Sequence, residues 1–173
     1  MFFMTTTSPQ IGNDNYAELS DERILLRKVE ATDIPALAAI SFYDGIQASD
    51  IAMAFAMQTK IDQDILNGNS FHWCIIDRLS GQVVGTCGYY RGLESGEGEL
   101  GCVLLSPFRG KGYMSHAMRL AITFGQKSLR LGRIWAVTTK GNLQAIKLLE
   151  RLNFIKTADH DDEIEYELTN LLK

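Results

Sequence analysis

A mixed α/β domain is predicted, on three observations. Strand-like apolar runs alternate with stretches of helical periodicity; three of those runs, joined by short turns, precede the longest helix; and an apolar run stops at Pro107, crosses Arg109-Gly110-Lys111-Gly112 and enters an amphipathic helix. The order is strand, two helices, three antiparallel strands, helix, strand, helix, two strands. It implies an α/β (α+β) architecture, a mixed central sheet of about six to seven strands with helices on both faces.

Residues 1–20, rich in Thr, Ser, Asn and Gln without periodicity, are expected to form a tail outside a single domain spanning 21–173. A strand over 24–28 opens the fold. Thr32 caps a short helix with Pro35 in its first turn. After a loop over 42–48, Ser49 and Asp50 cap a second helix that reaches Leu66, buries Ile51, Phe55, Ile61 and Ile65, and ends at Asn67-Gly68-Asn69. Runs over 71–77 and 83–90, joined by Leu79-Ser80-Gly81-Gln82, read as an antiparallel hairpin, and a turn over 92–98 leads to a third strand over 99–105.

From Tyr113 to Leu131, His116, Arg119, Thr123 and Arg130 trace a polar stripe opposite Ala117, Leu120, Ala121 and Phe124, with Gly132 as the stop. A buried strand over 134–138 follows, and a helical crossover of that length makes it a parallel neighbour of 99–105. Asn142 opens a shorter helix with Ile146, Leu149 and Leu152 facing the core and Gln144, Lys147 and Arg151 facing away; strands over 154–157 and 163–168 end the chain. Trp73 and Trp135, both within strand runs, are assigned to the core.

The chain's 173 residues, 46% apolar and 22% charged, suit one domain with a full core. Its net charge of −4 argues against a nucleic-acid partner and is compatible with a cationic acceptor. Cys74, Cys87 and Cys102 lie in apolar runs without metal-ligand spacing, so they read as reduced core cysteines; His72, His116 and His160 read as strand, helix-surface and loop residues, and no metal is expected. The first residues lack a basic leader, and no run approaches the ~20 apolar residues of a membrane span. A cytoplasmic protein without a membrane partner, monomer or homodimer, is expected.

The glycine stretch is the strongest pointer to chemistry. A helix start leaves its first N–H groups unpaired at the positive end of the macrodipole, and a glycine approach lets an anion come close. Arg109 and Lys111 add charge there. The stretch is neither a P-loop nor a complete dinucleotide fingerprint, and such a turn also occurs without any ligand.

In Arg109-Gly110-Lys111-Gly112-Tyr113-Met114 the chain resembles the pyrophosphate motif of the GNAT superfamily of acetyl-CoA-dependent N-acetyltransferases, with Met114 replacing the motif's final small residue. Arg23-Ile24-Leu25-Leu26-Arg27, Ala31-Thr32-Asp33, Val84-Gly85-Thr86, Glu99-Leu100-Gly101, Asn142-Leu143-Gln144-Ala145 and the segment from Leu148 to Phe154 extend the likeness, which is greatest to the branch of ribosomal-protein N-terminal acetyltransferases.

The resemblance implies a GNAT fold and acetyl-CoA as co-substrate. Its pyrophosphate would rest on Arg109, Gly110, Lys111, Gly112, Tyr113, Met114 and Ser115, and its pantetheine arm along Val103, Leu104 and Leu105. Asn142 would bind the arm, Lys147 would approach the phosphates or stay a solvated cation, and the Leu104 N–H would polarise the thioester carbonyl. Glu99 is either the general base or an exposed strand carboxylate. The positions where relatives carry an acid tyrosine and a serine hold Leu149 and Ala145, which donate no proton; Tyr89, Tyr90, Tyr113 and Ser115 are substitutes, although packing also explains the tyrosines. Asn153 stands where the family has glycine, in a turn that needs a left-handed residue.

The implied reaction is direct attack by a primary amine in a ternary complex. The amine belongs to a protein N-terminus, a polyamine or an aminoglycoside-like small molecule, bounded by 42–48, the second helix and 89–99. Two rivals remain at this level: an acyl-CoA-binding module that has lost catalysis, and a nucleotide-binding regulator using the same loop.

Overall fold

The computed structural model describes residues 16–169. Their elements are β1 (Leu19–Ser20), β2 (Ile24–Arg27), α1 (Ile34–Leu37), β3 (Phe42–Tyr43), β4 (Ile46–Gln47), α2 (Ile51–Leu66), β5 (Phe71–Asp77), β6 (Val83–Tyr89), β7 (Glu97–Leu104), α3 (Tyr113–Lys127), β8 (Arg133–Thr139), α4 (Leu143–Arg151), β9 (Phe154–Asp159) and β10 (Glu163–Leu168). Eight strands form one sheet in the order β1-β2-β5-β6-β7-β8-β10-β9, and β3 and β4 make a separate ribbon. Strands β7 and β8 pair in parallel, as the crossover requires; every other pairing is antiparallel.

The sheet exceeds the expected six to seven strands because the N-terminal segment joins it. Most of the tail expected over 1–20 lies outside the described residues, but 16–20 belong to the domain. The Trp73 indole donates to the Ala17 carbonyl at 2.8 Å, the Tyr16 ring lies 4.7 Å from that of Phe71, and β1 pairs with β2.

Alternation along the strands sends side chains to two cores. Phe71, Trp73 and Ile75 pack on one face with Ala117, Met118, Ala121 and Phe124 of α3. Cys74 and Ile76 pack on the other with Ile34, Leu37, Ile40 and Ala54 of the α1 and α2 layer. Among the described residues no helix is long and apolar enough to cross a membrane.

Three expectations change, two about burial and one about a helix end. In α2, Ile65 is buried as expected, but Ile51 and Phe55 are exposed and Ile61 is half-buried, and Ala54 and Met57 are buried instead. The first turns of α2 are apolar all round, so periodicity does not select a face; small Ala54 admits the α1 layer. Trp135 is half-buried, its ring under the Arg133 guanidinium at 4.8 Å, because β8 turns Ile134 and Ala136 inward. Helix α3 ends at Lys127, and the left-handed residue beyond it is Arg130 (φ 52°), ahead of Gly132. Asn153 has φ 66°, as its turn demands.

The entry to α1 is held by a buried ion pair. Asp33 accepts from both terminal nitrogens of Arg27 (2.7 and 2.9 Å) and from the Glu30 N–H (2.8 Å). Burial alone would raise the Asp33 carboxyl, but these bonds outweigh it and hold its pKa below the usual carboxylate value. Asp33 therefore contributes stability that is complete above about pH 4 and lost as pH falls through its lower native pKa. Asp33→Ala leaves Arg27 without its partner and is expected to cost about 3 kcal/mol in denaturant unfolding at pH 7. The difference from wild type should shrink as the pH is lowered past 4.

Candidate active site

The site begins where the parallel pair comes apart. Strand β7 stays with β6 up to Gly85↔Leu104, yet its pairing with β8 is confined to Glu97↔Arg133, Gly98↔Ile134 and Glu99↔Trp135. Beyond Glu99 one edge of β7 is open. The Leu105 N–H donates to the Val84 carbonyl at 2.9 Å, so by alternation the backbone groups of Cys102 and Leu104 face the open edge. The Leu104 carbonyl there accepts from Arg109 Nε at 3.1 Å.

A 3-10 turn, Ser106–Phe108, carries the chain from β7 to the glycines. Gly110 (φ 71°) and Gly112 (φ 84°) occupy left-handed backbone, and Gly112 is the N-cap of α3. Gly112, the N-cap, has no side chain to cap α3 and no acid lies in its first turn, so the N–H groups of Tyr113, Met114 and Ser115 have no intrahelical partner. Tyr113 offers only that backbone group. Its ring is buried under the Arg23 guanidinium at 4.2 Å, and its hydroxyl donates to Asp77 at 3.1 Å.

This helix start, the open edge of β7 and helix α4 enclose a cleft of about 1120 Å³. Val103, Leu104, Arg109, Gly110, Gly112, Met114, Ser115, Asn142 and Lys147, all among the residues singled out in the sequence, line it. Leu105, Lys111 and Tyr113 do not: Leu105 packs toward the α1 layer, Lys111 is exposed, and Tyr113 is in the core. Asn142 Oδ1 accepts from the Ala145 N–H at 3.2 Å, so this oxygen serves as the cap of α4. Gln144, Glu150 and Arg151 also line the cleft. The spacing of Gln144, Lys147 and Arg151 marks them as one outward face, and that face is the cleft wall.

A second pocket, of about 290 Å³, lies on the opposite face of the sheet under α1, α2 and the β3–β4 ribbon. Ser70, His72, Thr86, Tyr90, Glu99 and Val103 form its floor, and Val103 is common to both cavities. Only 18% of the Glu99 side chain is exposed, with Arg91 Nε 3.7 Å away. Burial raises the Glu99 pKa, Arg91 partly opposes this, and Glu163 and Glu165 add to it. Glu99 is therefore half-buried and basic, not an exposed strand carboxylate. Burial of the Tyr90 hydroxyl end keeps it protonated, although 38% of the residue is exposed.

Two other candidate proton donors are engaged, Tyr89 with the Ala121 carbonyl at 2.8 Å and Tyr113 with Asp77, and Leu149, which has no proton to give, is buried in the core. Cys74, Cys87 and Cys102 are free thiols. Cys102 lines the cleft, but its contact with Cys87 and its burial hold its thiol far above the ordinary range. His116 Nδ1 lies 2.6 Å from Asp21, which also accepts the N–H groups of Arg23 and Ile24.

The sheet parts at two parallel strands, with an uncapped helix start at the parting, a cleft on one face and a pocket holding the Glu99 carboxylate on the other. The chain belongs to the GNAT acetyltransferase family: the model of the acetyltransferase (GNAT) domain matches residues 23–155. It is an N-acetyltransferase. It is 34% identical over 146 residues, 80% of this chain and 82% of the relative, to the uncharacterized N-acetyltransferase p20 of Bacillus licheniformis. Its fold is similar to that of the ribosomal-protein-S5-alanine acetyltransferase of Vibrio fischeri (TM-score 0.74, 18% identity, 87% and 95% of the two chains). It also resembles mutant forms of the spermidine/spermine N-acetyltransferase SpeG of Vibrio cholerae (TM-score 0.71, 13% identity, 86% and 94%).

Proposed function

We propose that the chain holds acetyl-CoA in the larger cleft and transfers its acetyl group to a primary amine that enters the smaller pocket, by direct attack in a ternary complex. The observation that carries this reading is the uncapped start of α3, whose unpaired N–H groups open beside the free edge of β7. Arg109, Lys147 and Arg151 supply positive charge around it, against one carboxylate, Glu150. These groups suit a pyrophosphate. The open-edge groups of Cys102 and Leu104 suit an amide-bearing arm, and Val103 is where the two cavities meet.

Bound acetyl-CoA supplies an activated acetyl group on sulfur. The amine nitrogen forms the new bond to the carbonyl carbon, the carbon–sulfur bond breaks, and the amine's proton passes to Glu99, directly or through water. The Leu104 N–H donates to the carbonyl oxygen as charge develops there. Of the candidate proton donors, Ser115 lines the cleft and Tyr90 the smaller pocket, and a thiolate of pKa about 8.5 leaves with little help at neutral pH. A lysine-like amine costs roughly 4 to 5 kcal/mol to deprotonate at pH 7 and an α-amine about 1. Cys102, held protonated, supports direct attack over an acyl-enzyme.

Thiol release from acetyl-CoA over a panel of amines tests the reading. Turnover with at least one primary amine is expected, and Glu99→Gln should lower kcat roughly 100-fold for a lysine-like amine, and less for an α-amine. CoA binding without turnover on any amine would favour a binding module instead. We place the reaction in the cytoplasm, in keeping with three free cysteines and a net charge of −4. The working form is a monomer or homodimer that engages neither nucleic acid nor membrane.

A further inference from the structure

The floor of the smaller pocket contains a buried group that the acetyl-transfer chemistry does not use. On the β5-β6-β7 face turned to α1 and α2, the cross-strand register sets His72 beside Gly88 and Gly88 beside Gly101. Neither glycine raises a side chain into the pocket. A Cβ on Gly88 would stand 3.1 Å from His72 Cδ2, and a Cβ on Gly101 would collide with the Tyr90 ring at 2.2 Å. Two rings, His72 and Tyr90, thus lie over the glycines with centroids 5.8 Å apart, next to Glu99.

His72 is 6% exposed, and its Nδ1 has no hydrogen-bond partner among the described residues. An unmet buried polar atom destabilises a fold. An apolar side chain would fill the same place without that cost. Burial lowers the imidazole pKa to about 4, so at neutral pH the ring is uncharged and carries one N–H and one lone pair. A neutral ring does not repel an incoming ammonium. The rest of the lining mixes apolar Leu37, Ile40, Met57 and Ile61 with polar Ser41, Tyr43, Asp44, Gln58 and Asp64, of which Ser41, Tyr43 and Gln58 already donate to Leu37, Asp64 and Asp62.

We propose that His72 is an acceptor-binding residue: its imidazole, set on the glycine floor beside Glu99 and Tyr90, hydrogen-bonds a neutral polar group that the acceptor carries next to its amine. This rests on the smaller pocket being the acceptor site. The acceptor then has a primary amine and an adjoining amide, carbonyl or hydroxyl on a compact body. His72 selects it by the group that would leave the ring unpaired if absent.

Two probes built on the same branched carbon separate the possibilities: alaninamide, which has an amide next to its amine, and isopropylamine, in which a methyl takes the amide's place. With each rate referred to the concentration of unprotonated amine, which at pH 7 is far higher for the amide-bearing probe, wild type is expected to favour alaninamide in kcat/KM by tenfold or more. His72→Phe should erase that preference by raising the KM for alaninamide, leave the KM for acetyl-CoA within twofold, and melt no lower than wild type. His72→Gln should restore part of the preference. An equal loss on both amines, or a fall in Tm with the preference intact, would overturn the proposal, since either outcome marks His72 as structural. NMR of the three histidine rings, with CoA bound, gives a readout without turnover. The His72 signal, identified by its absence in His72→Phe, should shift with alaninamide and not with isopropylamine. A ring that ignores both overturns the proposal. A ring that shifts in a protein that transfers no acetyl group upholds it and counts against the proposed reaction alone.

Discussion

Gly112→Val should weaken CoA binding at least about 100-fold while leaving the protein folded. Gly112 sits at φ 84° as the N-cap of α3, a region that a β-branched residue enters only at a cost of roughly 1 to 2 kcal/mol. The valine also places two methyl groups where the unpaired amides of Tyr113, Met114 and Ser115 face the cleft. Its Cβ would lie 3.2 Å from Arg23 Nη1, the far end of a flexible side chain, so the core need not move. Gly81→Val is the matched control. Gly81 has φ 70° in the β5–β6 turn with nothing within 4 Å of an added Cβ, so it carries the same strain far from the cleft. Calorimetric titration should show normal CoA affinity for Gly81→Val and loss for Gly112→Val, with similar small falls in Tm. Equal CoA affinity in both would detach the glycine loop from cofactor binding.

Trp73→Ala should be the most destabilising single truncation. The side chain is 0% exposed and lies at 4.5 Å from the Phe71 ring and 5.3 Å, edge-on, from that of Phe124. Its indole N–H also ties down the Ala17 carbonyl at 2.8 Å. Truncation opens a cavity between the sheet and α3 and releases the N-terminal segment, for about 4 to 5 kcal/mol. Against a total of about 5 to 15 kcal/mol, that lowers Tm by roughly 10 to 20 °C. Trp73→Phe keeps most of the packing and loses the hydrogen bond, so about 1 to 2 kcal/mol is expected. Urea unfolding at pH 7 distinguishes the two; similar midpoints for alanine and phenylalanine would show that this core relaxes around the gap.

The parts of the fold that were legible in the sequence are those whose signals are local. Pro107, Gly110 and Gly112 mark a turn, the apolar spacing after Tyr113 marks a helix, and together they place the cleft before any tertiary contact is known. Asp50 and Asn142 likewise announce α2 and α4, and their side chains do cap those helices. What was hidden depends on partners distant in sequence. Tyr16 and Leu19 sit in a polar stretch and gain their place only from Phe71 and Leu26. The buried face of α2 is set by α1, because apolar residues ring its first turns. Trp135 looks like core by composition but rests under Arg133. The floor of the smaller pocket is the clearest case: His72, Gly88 and Gly101 are unremarkable in their own runs, and the cross-strand register alone makes them neighbours.

The cleft at the start of α3 is proposed to hold CoA. The most direct test is calorimetric titration of the intact protein with CoA, ATP and NAD under one set of conditions. CoA should bind with a Kd in the micromolar range or tighter, corresponding to about −8 kcal/mol, and well ahead of both nucleotides. Tighter binding of ATP or NAD than of CoA would contradict the account.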